Sequence, residues 1–98
     1  MKRADTILVL QQRADAIRQL GAVSMYLFGS TSRDEASESS DIDLFIDYDP
    51  SSRFSLFDLA GIQSFLEAEL RSSVDLTTRD SLHPLLKAEI EGAAIRIF

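Results

Sequence analysis

The spacing of apolar residues divides the first part of the chain into a helical and an extended segment. From Arg3 to Leu20 apolar residues recur every three or four positions, which predicts one face of a helix formed by Ile7, Leu10, Ala14, Ile17 and Leu20. Gly21 is expected to end this helix. The short aromatic and apolar run from Ala22 to Phe28 stops at Gly29, which is typical of a buried strand.

A polar segment follows, and a strictly alternating segment comes after it. Ser30 to Ser40 predicts a loop, with one or two helical turns between Arg33 and Ala36, or a helix beginning at Thr31. The run from Asp41 to Tyr48 predicts a second strand with an apolar side and a polar side. The apolar side carries Ile42, Leu44 and Ile46, and the other side carries Asp41, Asp43, Phe45 and Asp47.

The second half of the chain repeats this alternation of helix and strand. A helix is predicted up to about Arg71, because apolar residues resume helical spacing at Leu56, Leu59, Ile62, Leu66 and Leu70. Val74 to Thr77 predicts a third strand, and Ala94 to Phe98 can add a terminal one. Between them a short last helix is predicted from Leu82, Leu85, Leu86 and Ile90, with Pro84 near its first turn and Gly92 just past its end. The predicted class is α/β (α+β), a small mixed sheet of three to four strands with helices mainly on one face.

Length and composition limit the functions that this sequence can support. At 98 residues the chain is expected to form one domain, spanning residues 1–98, around one core. A formal charge of −6 disfavours direct binding of nucleic acid and suits divalent cations or a basic partner. The sequence contains no cysteine, no apolar run of membrane-spanning length and no secretory segment, so a cytoplasmic protein is expected.

Three aspartates carry the chemistry that the sequence suggests. Residues two apart on a strand point to the same side, so Asp41 and Asp43 place two carboxylates together. Asp75 lies inside the apolar run of the third strand, where it can join the pair if the strands are neighbours. Oxygen ligands without His or Cys favour a hard ion such as Mg²⁺. An isolated Asp-x-Asp is more often a solvated face of an edge strand, and Asp47 and Asp49 are interpreted as solvating groups.

Context favours the metal-binding interpretation of the aspartate pair. Just ahead of it, the first strand ends in Phe28-Gly29-Ser30, where glycine permits close approach of the backbone and serine offers an amide and a hydroxyl to a phosphate. Gly29-Ser30, ten residues, and then Asp41-Ile42-Asp43 resembles the signature of the DNA polymerase β-like nucleotidyltransferase superfamily. The wider match resembles its minimal nucleotidyltransferase (MNT) group and includes Leu27-Phe28, Arg33, Glu35-Ala36, Ser40, Leu44 and Val74-Asp75-Leu76.

The resemblance implies an activity and a role for each matched residue. Asp41, Asp43 and Asp75 would be catalytic residues that hold two Mg²⁺ ions, with Asp75 assisting the attacking hydroxyl. Gly29, Ser30 and Arg33 would bind the nucleotide, with ATP as the substrate. Two departures make the loop less positive: Thr31 stands where many members have arginine, and Asp34 where they usually have glycine.

Members of the MNT group resemble the antitoxin half of a toxin–antitoxin pair, whose toxin is a HEPN-domain ribonuclease. The implied reaction is transfer of AMP from ATP to a tyrosine of the toxin, within a hetero-oligomer of the two proteins. A non-catalytic antitoxin that neutralises the toxin by binding and occlusion is the alternative from a different class. Nucleotidylation of a small molecule is a third interpretation, and it would require a second domain or a dimer to enclose the substrate.

Overall fold

The computed structural model describes residues 2–33 and 41–98, and a four-stranded sheet runs through its centre. The strands are β1 (Ala22–Phe28), β2 (Ile42–Tyr48), β3 (Val74–Thr78) and β4 (Ile95–Arg96), arranged in the order β3-β2-β1-β4. β2 pairs parallel with β3 and antiparallel with β1, and β4 pairs antiparallel with β1. The predicted mixed sheet, including its terminal strand, is confirmed.

Five helices and one short 3₁₀ turn connect these strands within the described ranges. The helices are α1 (Arg3–Gln12), α2 (Ala14–Gln19), α3 (Gly29–Ser32), α4 (Leu56–Leu70) and α5 (Lys87–Ala93), and the 3₁₀ turn spans Arg79–Ser81. None of these helices is both long enough and apolar enough to cross a lipid bilayer. The helical turns predicted from Arg33 to Ala36 lie mostly outside the described residues. α3 begins at Gly29, two residues before the helix start that the sequence suggested at Thr31.

The hydrophobic core lies on one face of the sheet. Apolar side chains of β1 and β2 pack there against α1, α2 and α4, and the members at most 2% exposed are Leu10, Ile17, Ala22, Met25, Leu27, Ile42, Leu44, Ile46, Ile62, Leu66 and Leu70. The alternation predicted for β2 is confirmed, because Ile42, Leu44 and Ile46 are all buried in this cluster. Because these three side chains point into the core, the β2 side chains between them must point to the opposite face of the sheet.

α4 is the longest helix and follows the sequence prediction closely. The Asp58 carboxylate accepts a hydrogen bond from the backbone N–H of Ser55 at 2.8 Å, as in a capping box, and this fixes where the helix begins. Its C-terminal flanking residue, Arg71, takes the left-handed conformation with φ of 51° and ends the helix. Ile62, Leu66 and Leu70 recur at four-residue intervals on the buried side.

The prediction of a single helix from Arg3 to Leu20 was wrong. The helix breaks at Arg13, whose φ and ψ are −103° and 8°. The backbone N–H of Arg13 is shared between the carbonyls of Val9 and Leu10, at 3.1 and 3.2 Å, which tightens the last turn of α1. With α2 in its new direction, Leu10 and Ile17 are both buried. Leu20, which was expected on the buried apolar face, is 40% exposed.

The predicted last helix was also misplaced. α5 begins at Lys87, and Gly92 lies within it instead of past its end. A turn occupies the expected first part, because the His83 ring nitrogen Nδ1 accepts the Leu85 N–H at 3.2 Å and the His83 carbonyl accepts the Leu86 N–H at 2.9 Å. As a result Leu82 is buried, whereas Leu85 is 87% exposed.

Truncating a core leucine on α4 should measure how strongly this face holds the fold. Leu66→Ala is expected to lower the free energy of unfolding by about 2 to 5 kcal/mol, because Leu66 is fully buried and its loss leaves a cavity. Leu56→Ala on the same helix is the matched control and should change it by less than about 0.5 kcal/mol, since Leu56 is 81% exposed. Urea denaturation followed by circular dichroism gives both values, and equal losses would contradict this account of the core.

Candidate functional site

The face of the sheet opposite the core carries the predicted carboxylates. Asp43 on β2 lies beside Asp75 on β3 in the parallel register and beside Phe28 on β1 in the antiparallel one. Register partners on adjacent strands point to the same face, with their Cβ atoms roughly 5 Å apart. The structure therefore brings Asp43 and Asp75 together, although they are far apart in the sequence.

The surroundings of Asp43 disfavour its charged form. Partial burial raises the pKa of the Asp43 carboxyl, and the negative charges of Asp75 and Asp41 raise it further, while the positive charge of Arg33 lowers it. Asp41 lies immediately before β2, and its side chain is exposed. The three aspartates therefore interact electrostatically, and a bound cation would reduce the repulsion among their carboxylates.

At the end of β1, the Asp43 carboxylate fills the space that a side chain at position 29 would occupy. A Cβ atom added at Gly29 would lie 2.2 Å from Oδ2 of Asp43, well inside the limit of any real contact. The backbone of Gly29 also has φ of +74°, which side-chain-bearing residues rarely adopt. Position 29 requires glycine for both reasons, and the carboxylate of Asp43 rests directly against the turn that leaves β1.

The other residues predicted to bind the nucleotide follow Gly29 directly. Ser30 is half-buried within α3, and Arg33 is exposed at its end. The Ser32 hydroxyl donates to the Gly29 carbonyl at 2.7 Å and so steadies the turn. Thr31 is only 1% exposed, so it packs inside the turn and is not displayed to solvent. Asp34, the second departure noted in the sequence, lies outside the described residues.

A cavity of about 200 Å³ opens beside this turn. One wall is formed by the end of β1 and by α3, through Phe28, Gly29, Ser32 and Arg33. The opposite wall is formed by α5 and the residue before it, through Leu86, Glu89, Ile90 and Ala93. The cavity thus contains two of the three predicted nucleotide-binding residues, Gly29 and Arg33.

The donor set of the site fits an ion that is shared between protein and substrate. No three Asp, Glu or His side chains within residues 2–33 and 41–98 come close enough together to hold a metal ion by themselves. The groups at the site are carboxylates, which are ligands for Mg²⁺, and this ion is commonly bound through one or two carboxylates together with substrate phosphates. The carboxylate oxygens at the site therefore fit the ligand chemistry of magnesium.

Sequence reasoning missed a second polar group on the same face. The Arg79 guanidinium pairs with both carboxylate oxygens of Asp47 at 2.8 and 3.0 Å, and it lies over the rings of Tyr26 and Phe45. The interpretation of Asp47 as a solvating group was therefore wrong. The hydrogen bonds from Arg79 hold the pKa of the Asp47 carboxyl below its usual range. The available signal was an aspartate on the polar side of β2 and an arginine directly after β3.

A glycine-serine turn that lies against a carboxylate of the next strand, with a further carboxylate on the strand beyond, is the arrangement expected of the nucleotidyltransferase class that the sequence resembles. Comparison with known proteins agrees with this class. The sequence profile of the nucleotidyltransferase domain matches residues 10–97. The chain therefore belongs to the nucleotidyltransferase domain family.

Individual relatives share most of the length of this chain. A Methanocaldococcus jannaschii protein named as a candidate protein adenylyltransferase is 39% identical over 71 residues, which cover 72% of this chain and 74% of the relative. The solved structure of a candidate minimal nucleotidyltransferase is 31% identical, with a TM-score of 0.75, and the match covers 97% of this chain and 95% of that one.

A more distant structure shares the fold. In a Shewanella oneidensis complex of a tri-AMPylated HEPN toxin with its MNT antitoxin, the matching chain is 19% identical with a TM-score of 0.66. The match covers 94% of this chain and 71% of that one.

The shared space at Gly29 and Asp43 can be tested by substitution. Gly29→Ala is expected to lower the free energy of unfolding by about 2 to 4 kcal/mol, because the new Cβ meets the Asp43 carboxylate and the backbone angle is strained. Gly61→Ala is the matched control: Gly61 lies in α4 with no atom within 4 Å of an added Cβ, so stability should rise by up to about 1 kcal/mol. Thermal unfolding measures both, and adding Asp43→Ala to Gly29→Ala should recover part of the loss.

The raised pKa of Asp43 predicts the sign of a pH dependence. The folded state holds the proton of Asp43 more tightly than the unfolded state does, so this group favours folding below its ordinary pKa of 3.8 and loses that contribution as the pH rises through the folded value. Asp43→Asn should therefore be more stable than the wild type at pH 7 without divalent ions, and the difference should vanish near pH 3. Thermal melts across this range measure it.

Proposed function

We propose that this protein transfers AMP from ATP to a hydroxyl group, most simply a tyrosine, of a partner HEPN ribonuclease toxin, and so acts as its antitoxin. The observation that carries the proposal is the contact between Gly29 and the Asp43 carboxylate, with Asp75 in register on the next strand. The family supplies the reaction class. The relative named as a candidate protein adenylyltransferase supports a protein as the acceptor.

Each site residue has a chemical role in this proposal. Asp41, Asp43 and Asp75 would hold two Mg²⁺ ions, whose charge relieves the carboxylate repulsion and neutralises the triphosphate. The acceptor oxygen forms a bond to the α-phosphorus, and the bond to the departing pyrophosphate breaks in line with it. Asp75 would favour loss of the proton from the acceptor hydroxyl. A tyrosine, with an ordinary pKa near 10, needs less assistance than a serine.

The turn after β1 would bind the nucleotide. Gly29 allows the phosphates to approach the backbone, and Ser30 offers an amide and a hydroxyl. Arg33 is exposed at the edge of the cavity, and its charge already acts on Asp43. A triphosphate would thus lie between the Arg33 side chain and the ions held by the aspartates.

The surface of the chain suits a protein partner. The Shewanella oneidensis complex, in which an antitoxin of this fold is bound to an AMPylated HEPN toxin, supports a toxin as that partner. The net charge of −6 disfavours nucleic acid and suits a basic protein surface. At the start of α4, Leu56 and Phe57 are 81% and 91% exposed, and two adjacent large apolar side chains are well suited to a protein contact.

A non-catalytic antitoxin that acts by occlusion is the second candidate. The observation that favours it is Thr31, which is buried in the turn at a position where many members of the MNT group have arginine. The turn therefore presents one cation fewer to a triphosphate. Occlusion would require the partner-binding surface alone, so the metal-site aspartates separate the two functions.

Transfer of label from α-³²P-ATP tests the leading function. In the presence of magnesium, the wild type should transfer label to the HEPN toxin partner, which is either co-purified or encoded by a neighbouring gene. The variants Asp41→Asn and Asp43→Asn should reduce the initial rate by about 10² to 10⁴-fold, since each removes a ligand and charge from the site while conserving shape.

Two controls make the outcome decisive. Circular dichroism should show that both variants remain folded, and Asp5→Asn should label the partner at the wild-type rate. Turnover retained in either metal-site variant would refute the mechanism. Tight binding of the partner without label, unchanged in the variants, would establish occlusion instead.

A further inference from the structure

Arg79 joins three parts of the molecule on the face that bears the carboxylates. Its Nε and one terminal nitrogen bind the two oxygens of Asp47 on β2, and its other terminal nitrogen binds Oε2 of Glu91 on α5 at 2.5 Å. Its guanidinium carbon lies 4.8 Å from the centre of the Tyr26 ring and 5.0 Å from that of Phe45. The planar guanidinium group of Arg79 therefore contacts β1, β2 and α5 at the same time.

α5 has little apolar packing to hold it in place. None of its side chains is buried. The side chains of Arg79, Asp47 and Glu91 are about 30% exposed, so their contacts are shielded from much of the solvent screening that weakens surface ion pairs. The position of α5 over the sheet consequently depends on the link between Glu91 and Arg79 more than on hydrophobic contact.

α5 also forms the outer wall of the cavity beside Gly29. Glu89, Ile90 and Ala93 of this helix face Phe28 and Gly29 across the cavity. Asp47, which anchors Arg79, lies four residues after Asp43 on the same strand and the same face. The link from Asp47 through Arg79 to Glu91 thus fixes the distance between the outer wall and the strand that carries the carboxylate.

We infer that Arg79 is a positioning residue for nucleotide binding: through Glu91 it holds α5 against the cavity in which the nucleotide binds. This inference rests on the proposed function, because it assigns the cavity to the nucleotide. Arg79 acts on this cavity through the helix that it restrains, by way of its ion pair with Glu91.

Glu91→Gln is the variant that tests this role. It removes the charged link to α5 and leaves the Arg79 pair with Asp47 and the aromatic contacts in place. Glu69→Gln is the matched control, since Glu69 on α4 has a similar exposure and also pairs with an arginine, Arg13 at the break between α1 and α2, at 3.3 Å. Affinity for the ATP analogue AMP-PNP with magnesium is measured by calorimetry well below the melting temperature, and hydrogen exchange is followed over residues 87–93.

Glu91→Gln should raise the Kd for AMP-PNP by roughly three- to tenfold and speed amide exchange in α5, whereas Glu69→Gln should leave both unchanged. A merely structural role would lower the melting temperature without changing the Kd of the folded protein. An unchanged Kd in Glu91→Gln, with tight binding by the wild type, would overturn the inference alone. Failure of the wild type to bind AMP-PNP would overturn the proposed function together with it. Should Glu91→Gln not fold, Arg79→Lys, which loses the fork but keeps the charge, takes its place.

Discussion

The register of β2 between its two neighbours is the constraint on which the rest of the structure depends. Ile42, Leu44 and Ile46 are buried on one face, so Asp43, Phe45 and Asp47 must point to the other. The parallel pairing with β3 sets Asp75 beside Asp43, and the antiparallel pairing with β1 brings the turn at Gly29 to the same end. A slip of one residue would bury the carboxylates and expose the core, so folding and the construction of the site are a single event.

The aspartates near the two ends of β2 have opposite electrostatic surroundings. Asp47 is neutralised by hydrogen bonds from Arg79, and the pKa of its carboxyl is lowered. Asp43 is partly buried beside other carboxylates, and the pKa of its carboxyl is raised. A permanent internal cation pairs with Asp47, whereas Asp43 lies among like charges. The raised pKa of Asp43 is the perturbation expected of a candidate functional carboxylate, and the lowered pKa of Asp47 is that of a structural ion pair.

Those parts of the fold that rest on local pattern could be predicted from the sequence. The alternation of β2 predicted its two faces, the periodicity of α4 predicted its length, and the Gly29-Ser30 pair indicated the turn beside the carboxylates. The break at Arg13 could not be predicted, because no glycine or proline marks it and a shared backbone hydrogen bond produces it. The late start of α5 depends on contacts made by His83, and the Arg79 group joins residues from three elements that the sequence does not align. These features arise from tertiary contacts, which periodicity does not encode.

The space shared by Gly29 and Asp43 links the histories of two positions that are distant in the chain. A lineage that retains the carboxylate cannot accept any larger residue at position 29, because the missing Cβ is the volume that the carboxylate oxygen fills. Replacing the aspartate by a smaller residue would remove this steric requirement, whereas the positive φ of +74° would still favour glycine at position 29. The order of change at the two positions is therefore constrained: a larger residue at position 29 can be accepted only after the carboxylate has been lost.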